Sequence, residues 1–186
     1  MPALFLALLT AALAMAGGRT ARVTGQLAAA LGARAGLLLA CWLTAVATAT
    51  LAGWASTWIA PAMPAAGKAM FVAVALALSA LELLFARSRL APSEPTRSLG
   101  AVALVLLAGQ VTDAARLFVL ALAVATGAPA FAAAGGAIGS GAVLTSAWAL
   151  GSEWERLPLR AMRLGVAGLF LIGAVIVALS ARGLIG

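Results

Sequence analysis

The chain is a succession of apolar runs, and a helix of about twenty apolar residues is what it takes to cross a bilayer. The runs cover about 3–33, 35–59, 68–86, 99–126, 129–150 and 164–181. Hydrophobic residues make up 65 % of the chain and charged residues 9 %, whereas about 25 % of a soluble domain is charged. A soluble fold has too little polar surface here to cover its core. In lipid every backbone polar group must be satisfied internally, which leaves helices or closed barrels. The length of these runs predicts an all-α integral membrane protein with six transmembrane helices.

Punctuation organises the runs into halves. Pro61 and Pro64 end the second run, and Gly127-Ala128-Pro129 makes a tight turn between the fourth and fifth. The stretch from Arg87 to Arg97 is the clearly hydrophilic connection. The expected organisation is a first three-helix repeat over 1–88, a polar cytoplasmic linker over 89–98 and a second three-helix repeat over 99–186. A shift of about 95 residues lays Gly18 on Asp113, Gly32-Ala33 on Gly127-Ala128 and Thr50 on Thr145. Three helices per half is an odd number, so the second repeat enters the membrane in the opposite sense. Inverted repeats of this kind put a substrate site near the midplane, between the halves.

The net charge of +7 does not call for nucleic acid, because most Lys and Arg lie between the apolar runs. With the N-terminus outside, the cytoplasmic loops hold Arg34, Arg87, Arg89, Arg97, Arg156, Arg160 and Arg163, and the outer side holds Lys68 and Arg182. That bias is the positive-inside pattern. It places both termini outside, in a membrane read as the bacterial inner membrane. Trp54 with Trp58, and Trp148 with Trp154, fall where aromatic belts form. Residues 1–16 resemble a secretory signal but lack its basic start, and the apolar run resumes beyond them, so the segment is expected to be retained. There is no His, and the single Cys41 reads as a buried hydrophobe. No phosphate loop, nucleophile triad or ligand cluster is visible, so no enzyme and no cofactor is expected.

Two polar stretches interrupt the greasy runs, Met15-Ala16-Gly17-Gly18-Arg19-Thr20-Ala21-Arg22 and Gln110-Val111-Thr112-Asp113-Ala114-Ala115-Arg116. A charge at the bilayer centre costs about 2.5–3.5 kcal/mol on insertion scales, so it persists where it has a job or a partner. The first and fourth segments exceed the length of a simple span and must tilt or break at these middles. Met15, Arg19, Arg22 and Gln26 share one face at helical spacing, as do Gln110 and Asp113. Two readings stay open. Arg19, Arg22, Gln110 and Asp113 line a central polar site, with Thr20 and Thr112 beside them. Alternatively Asp113 forms a buried ion pair with Arg19, Arg22 or Arg116 that glues the halves together.

The plan and these stretches resemble the small six-helix calcium/manganese–proton exchangers of bacteria, chloroplasts and the Golgi, over nearly the whole chain. That family carries Glu-x-Gly-Asp-Lys/Arg-Thr/Ser once per half, in its first and fourth helices. Gly17 and Arg19-Thr20 fit the first copy and Asp113 fits the second. The charged stretch from Gly151 to Arg160 is similar to the family's link between its last two helices. The broader lysine-exporter-like superfamily is the second resemblance. The resemblance implies a cation cage of four carboxylates, with Asp113 its surviving metal ligand. Met15, Gln110 and Gly18 stand where the other three would be, and Arg22 and Arg116 add positive charge. Hard cations want six to eight oxygens, several of them anionic, so the motifs as they stand offer a poor site for calcium.

The remaining features have plainer readings. Gly135, Gly136, Gly139 and Gly141 with Ser140 give the fifth helix a small face for close packing. Glu82 lies near Arg87 and reads as a snorkelling surface pair. Thr44, Thr48 and Ser56 are expected to bond back to their own helix. The expected function is a divergent secondary transporter related to the cation–proton exchangers. The alternatives are a transporter of an anion or small zwitterion on the same fold, and a non-transporting relic or partner subunit. Its partners are the lipid bilayer and a small ion or small-molecule substrate. A homo-oligomer is allowed and not required.

Overall fold

A computed structural model describes residues 2–85 and 98–184. Its elements are α1 (Pro2–Gly17), α2 (Arg19–Leu31), α3 (Ala35–Ile59), the short 3-10 helix η1 (Ala60–Ala62) and α4 (Ala65–Phe85). After the linker come α5 (Leu99–Val111), α6 (Ala114–Thr126), α7 (Pro129–Leu150), η2 (Gly151–Arg156) and α8 (Leu159–Ala181). Except for Ser98, the linker expected over 89–98 lies outside the described residues, as do Arg87, Arg89 and Arg97.

Every apolar run reappears as helix. α3, α4, α7 and α8 are each long and apolar enough to cross a membrane. The two longest runs break. α1 and α2 meet at 60°, α5 and α6 at 54°, and each bent pair together passes the same test of length and composition. The chain is therefore an integral membrane protein by its helices, with four spans, or six if each bent pair counts as one.

Both breaks follow from local chemistry. Gly18 is extended (φ −74°, ψ 169°) at the N-cap of α2. Gly17-Gly18 adds no side chain that would hold a helix together, and glycine loses more freedom than other residues when held helical. Asp113 is extended (φ −81°, ψ 142°) at the N-cap of α6, a position its short carboxylate favours because it can accept a free amide of the first turn. α6 ends at Gly127, whose left-handed φ of 64° an L side chain rarely adopts. Pro129 then opens α7, where its missing N–H costs nothing.

Packing centres on α7. Gly135 and Gly139 lie against the backbone of α1 at Leu4 and Leu8, so closely that a β-carbon at either would collide with a carbonyl oxygen. Gly136 meets Val119 of α6, and Gly141 meets Trp42 of α3. The glycine face is thus a helix-packing surface. Outside this core, large apolar side chains such as Phe5, Leu9, Leu43, Leu104, Ile172 and Val175 are exposed all round the bundle, as a lipid-facing surface requires. Trp54 and Trp58 are exposed with them and stack edge to face at 6.0 Å. Trp154 departs from its expected place in an aromatic belt. It is buried, with its β-carbon against Gly25 of α2, because η2 folds back over that helix.

Candidate functional site

The two breaks meet. A β-carbon on Gly18 would sit 3.3 Å from Asp113 Oδ2, so positions matched by the half-chain shift are neighbours in space. Across the junction, Thr20 Oγ1 donates to Asp113 Oδ2 at 3.1 Å. The other carboxylate oxygen, Oδ1, accepts from the Ala115 amide at 3.1 Å. Glu82 of α4 arrives from the side, and its Oε2 accepts from the Ala114 amide at 2.8 Å. Two carboxylates thus cap the first turn of α6, where backbone donors lack helical partners and the helix dipole favours negative charge.

This arrangement corrects the ion pair expected at Asp113. Its oxygens go to Thr20 and to its own helix, as the N-cap geometry dictates. Arg19 reaches Glu82 instead, at 3.7 Å, with its side chain 45 % exposed. Glu82 is part of the break, and Arg87, its expected surface partner, lies outside the described residues. The shared face expected for Met15, Arg19, Arg22 and Gln26 is split by the bend at Gly18. Met15 stays with α1 and is fully buried, Arg22 is half-buried on α2, and Gln26 donates to Glu155 of η2 at 2.7 Å. The face that α2 turns inward carries Thr20 and Thr24.

A second polar cluster lies one turn below Asp113. Gln110 is fully buried. Its Nε2 donates to Thr44 Oγ1 of α3 at 2.7 Å, and its Oε1 accepts from Arg116 Nη2 at 2.9 Å. Thr48 Oγ1 stands 3.3 Å from the same oxygen. Thr44, Thr48 and Ser56 also bond back to their own helix, at Ala40, Thr44 and Gly53. Arg116 is 4 % exposed, and its Nε and Nη1 have no hydrogen-bond partner among the described residues. An unmade donor on a buried group costs about 1–3 kcal/mol, more when charged.

Arg116, Asp113, Thr112 and Glu82 all line one cavity of about 450 Å³ between α3, α4 and the α5–α6 break. Thr48 and Ser79 complete its polar wall, while Leu51, Ala52, Ala55, Leu78, Val111, Leu117 and Leu120 make the rest apolar. Thr112 is exposed and its hydroxyl is held by the carbonyls of Ala108 and Gly109. Of the sequence-expected residues, Thr112, Asp113 and Arg116 line the cavity, with Gln110 bonded to Arg116 and Thr20 to Asp113 from behind the wall. Arg19 and Arg22 do not line the cavity. Among the described residues, no three His, Cys, Asp or Glu side chains come together in a group that could hold a metal ion.

Sequence reasoning missed Glu82, Ser79 and the Thr44–Thr48 pair as site residues. The signal for Glu82 was present: with Asp113 it is one of two carboxylates inside an apolar run, and the cost of such a charge applies to both alike. Comparison with protein-family models, with curated proteins and with solved structures gives no match to this chain.

Proposed function

We propose that the chain is a small secondary transporter of the divergent exchanger-like class, with its substrate site in the cavity beside the α5–α6 break. The observation that carries this reading is the meeting of two broken helices at Gly18 and Asp113, with a partly polar cavity against the junction. Transporters build midplane sites from discontinuous helices in this way. The helix contacts support two related halves. Exchanging α1, α2, α3, α4 with α5, α6, α7, α8 turns the α1–α7 contact into α3–α5, α2–α7 into α3–α6 and α1–α6 into α2–α5. The contacts α3–α7 and α4–α8 map onto themselves. The match fails at α4–α6, α6–α7 and α1–α8, which have no comparable counterpart in α2–α8, α2–α3 and α4–α5 among the described residues, and α2 turns to η2 instead.

Site chemistry favours an anion or small zwitterion over calcium or manganese. Each oxygen of Glu82 and Asp113 already has a donor beside it, whereas Arg116 keeps donors to spare. Cation–proton exchange keeps one argument, the two carboxylates on one cavity wall. A flux survey in proteoliposomes tests the proposal, with labelled organic anions, zwitterions, Ca²⁺ and Mn²⁺ offered against a proton gradient. Anion or zwitterion flux that is lost in Arg116→Gln is the expected result. Divalent uptake abolished by Asp113→Asn would transfer the assignment to cation exchange. No flux of any solute by folded protein would leave the relic or partner-subunit reading.

A further inference from the structure

Resting on the transporter reading, we infer that the cavity takes a solute joining one negative charge to an apolar body, of the short-chain carboxylate type. Three observations at the cavity lead there. The first is charge. Glu82 and Asp113 are offset by Arg116 on the wall, by Arg19 from outside it, 3.7 Å from Glu82, and by the N-terminus of α6, which adds about half a positive charge, so the two carboxylates do not leave the site strongly negative. The second is valence. The carboxylates are engaged by Arg19, Thr20 and the Ala114 and Ala115 amides, and Arg116 spends Nη2 on Gln110 while Nε and Nη1 stay open. Those donors are buried and belong to a cavity-lining residue, so an anion arriving there gains charge-assisted hydrogen bonds in a low-dielectric setting.

The third observation is the rest of the wall. Leu51, Leu78, Leu117 and Leu120, with Ala52 and Ala55, give a bare inorganic anion nothing to bury against. An alkyl tail would fill that space and leave water. The volume of about 450 Å³ falls within the range of small-molecule sites. It accommodates a free short-chain acid, and the same chemistry is presented by a fatty acid entering from the bilayer.

The test uses the purified full chain in a nonionic detergent. Binding is read by calorimetry for formate, acetate, butyrate and hexanoate, for the matched amines and alcohols, and for palmitate delivered in neutral vesicles. Affinity is expected to rise about threefold to fourfold per added methylene along the acids, with no binding of the amines. A plateau at hexanoate identifies a free solute, and a continued rise to palmitate identifies a membrane source. Arg116→Gln should lose the acids, with thermal unfolding run alongside to check its fold. Ala55→Phe keeps the arginine and narrows the apolar wall, and it should lose hexanoate before acetate. Equal binding of acids and alcohols, or unchanged binding in both variants, would overturn the inference, as would an absence of acid binding to the wild type. Flux of an unrelated solute without acid binding would sink this assignment and leave the transporter. Acid binding without any flux would do the reverse.

Discussion

Thr20 and Asp113 stand 93 residues apart in the chain and 3.1 Å apart in space, joined by a hydroxyl-to-carboxylate hydrogen bond that ties one helix break to the other. Both are buried, and the bond is the side-chain link between α2 and the N-cap of α6. A hydrogen bond to a charged acceptor contributes about 1.5–3 kcal/mol. Thr20→Val keeps the shape and removes the donor, so it should lower unfolding free energy by that amount. A double-mutant cycle with Asp113→Asn should return a coupling energy well above zero. Additive losses would show that the breaks are not coupled through this pair.

Glu82 should behave differently with each replacement. Its ion pair with Arg19 is long and half-exposed, and such pairs contribute about 0.2–1 kcal/mol. Its contact with the Ala114 amide is short and satisfies a donor that the helix leaves open. Glu82→Gln retains an oxygen for that amide, and it should cost little in thermal unfolding. Glu82→Ala removes the acceptor, and should cost about 0.5–2 kcal/mol, the range for lost helix caps. Equal losses would assign the role to the ion pair.

The glycines of the bundle divide into two classes. Gly135→Ala or Gly139→Ala drives a methyl into the carbonyls of Leu4 or Leu8. Such variants should fail to fold or lose several kcal/mol, beyond the usual 1–3 kcal/mol of overpacking, because backbone rather than side chain must move. Gly165 and Gly168 of α8 have open space where a β-carbon would go. Alanine there should leave stability unchanged or raise it by about 0.5–1 kcal/mol per site, the difference in helix propensity. Expression level and melting temperature in detergent separate the two classes.

The helices were legible because hydrocarbon imposes a length and tolerates few charges, and both constraints are written in the residue order. The six apolar runs match the helices to within a few residues, and the need for the long first and fourth runs to tilt or break is met by bends at Gly18 and at Thr112-Asp113. The site was less legible. The sequence leaves Asp113 either lining a polar site or pairing with an arginine, and does not show that its position at a break makes it a helix cap. Arg19 and Arg22 were aligned with Met15 on an unbroken helix, and a 60° bend removes that alignment. Glu82 and Trp154 lie near segment ends, where the sequence reads as surface, but their contacts on α6 and α2 lie beyond any local pattern. The sequence marks Gln110 as central, but its bond to Thr44 depends on how α3 crosses α5, and its bond to Arg116 on the bend between α5 and α6.

Placing carboxylates where the resembled exchangers carry them tests how far the resemblance extends to the site. Gln110→Glu would set a carboxylate beside Arg116 Nη2, where the amide oxygen now accepts at 2.9 Å. That charge would satisfy the guanidinium from within. The variant should fold at least as well as the parent and should lose carboxylate binding. Gly18→Asp is the opposite case. A β-carbon there meets Asp113 Oδ2 at 3.3 Å and the carbonyls of Ala14 and Met15 at 3.2 Å. Two carboxylates would then face each other with little water between them, and like charges at that range repel by several kcal/mol at an effective dielectric near 20. The single variant should lose melting temperature. Combining it with Gln110→Glu and Met15→Glu rebuilds the four-carboxylate set of the resembled exchangers. If those four carboxylates converge, millimolar Mn²⁺ should restore the triple variant's melting temperature and leave the wild type unmoved. A wild type stabilised by Mn²⁺ as strongly as the triple variant would mean that Asp113 and Glu82 already suffice for a cation, and the anion reading would fall.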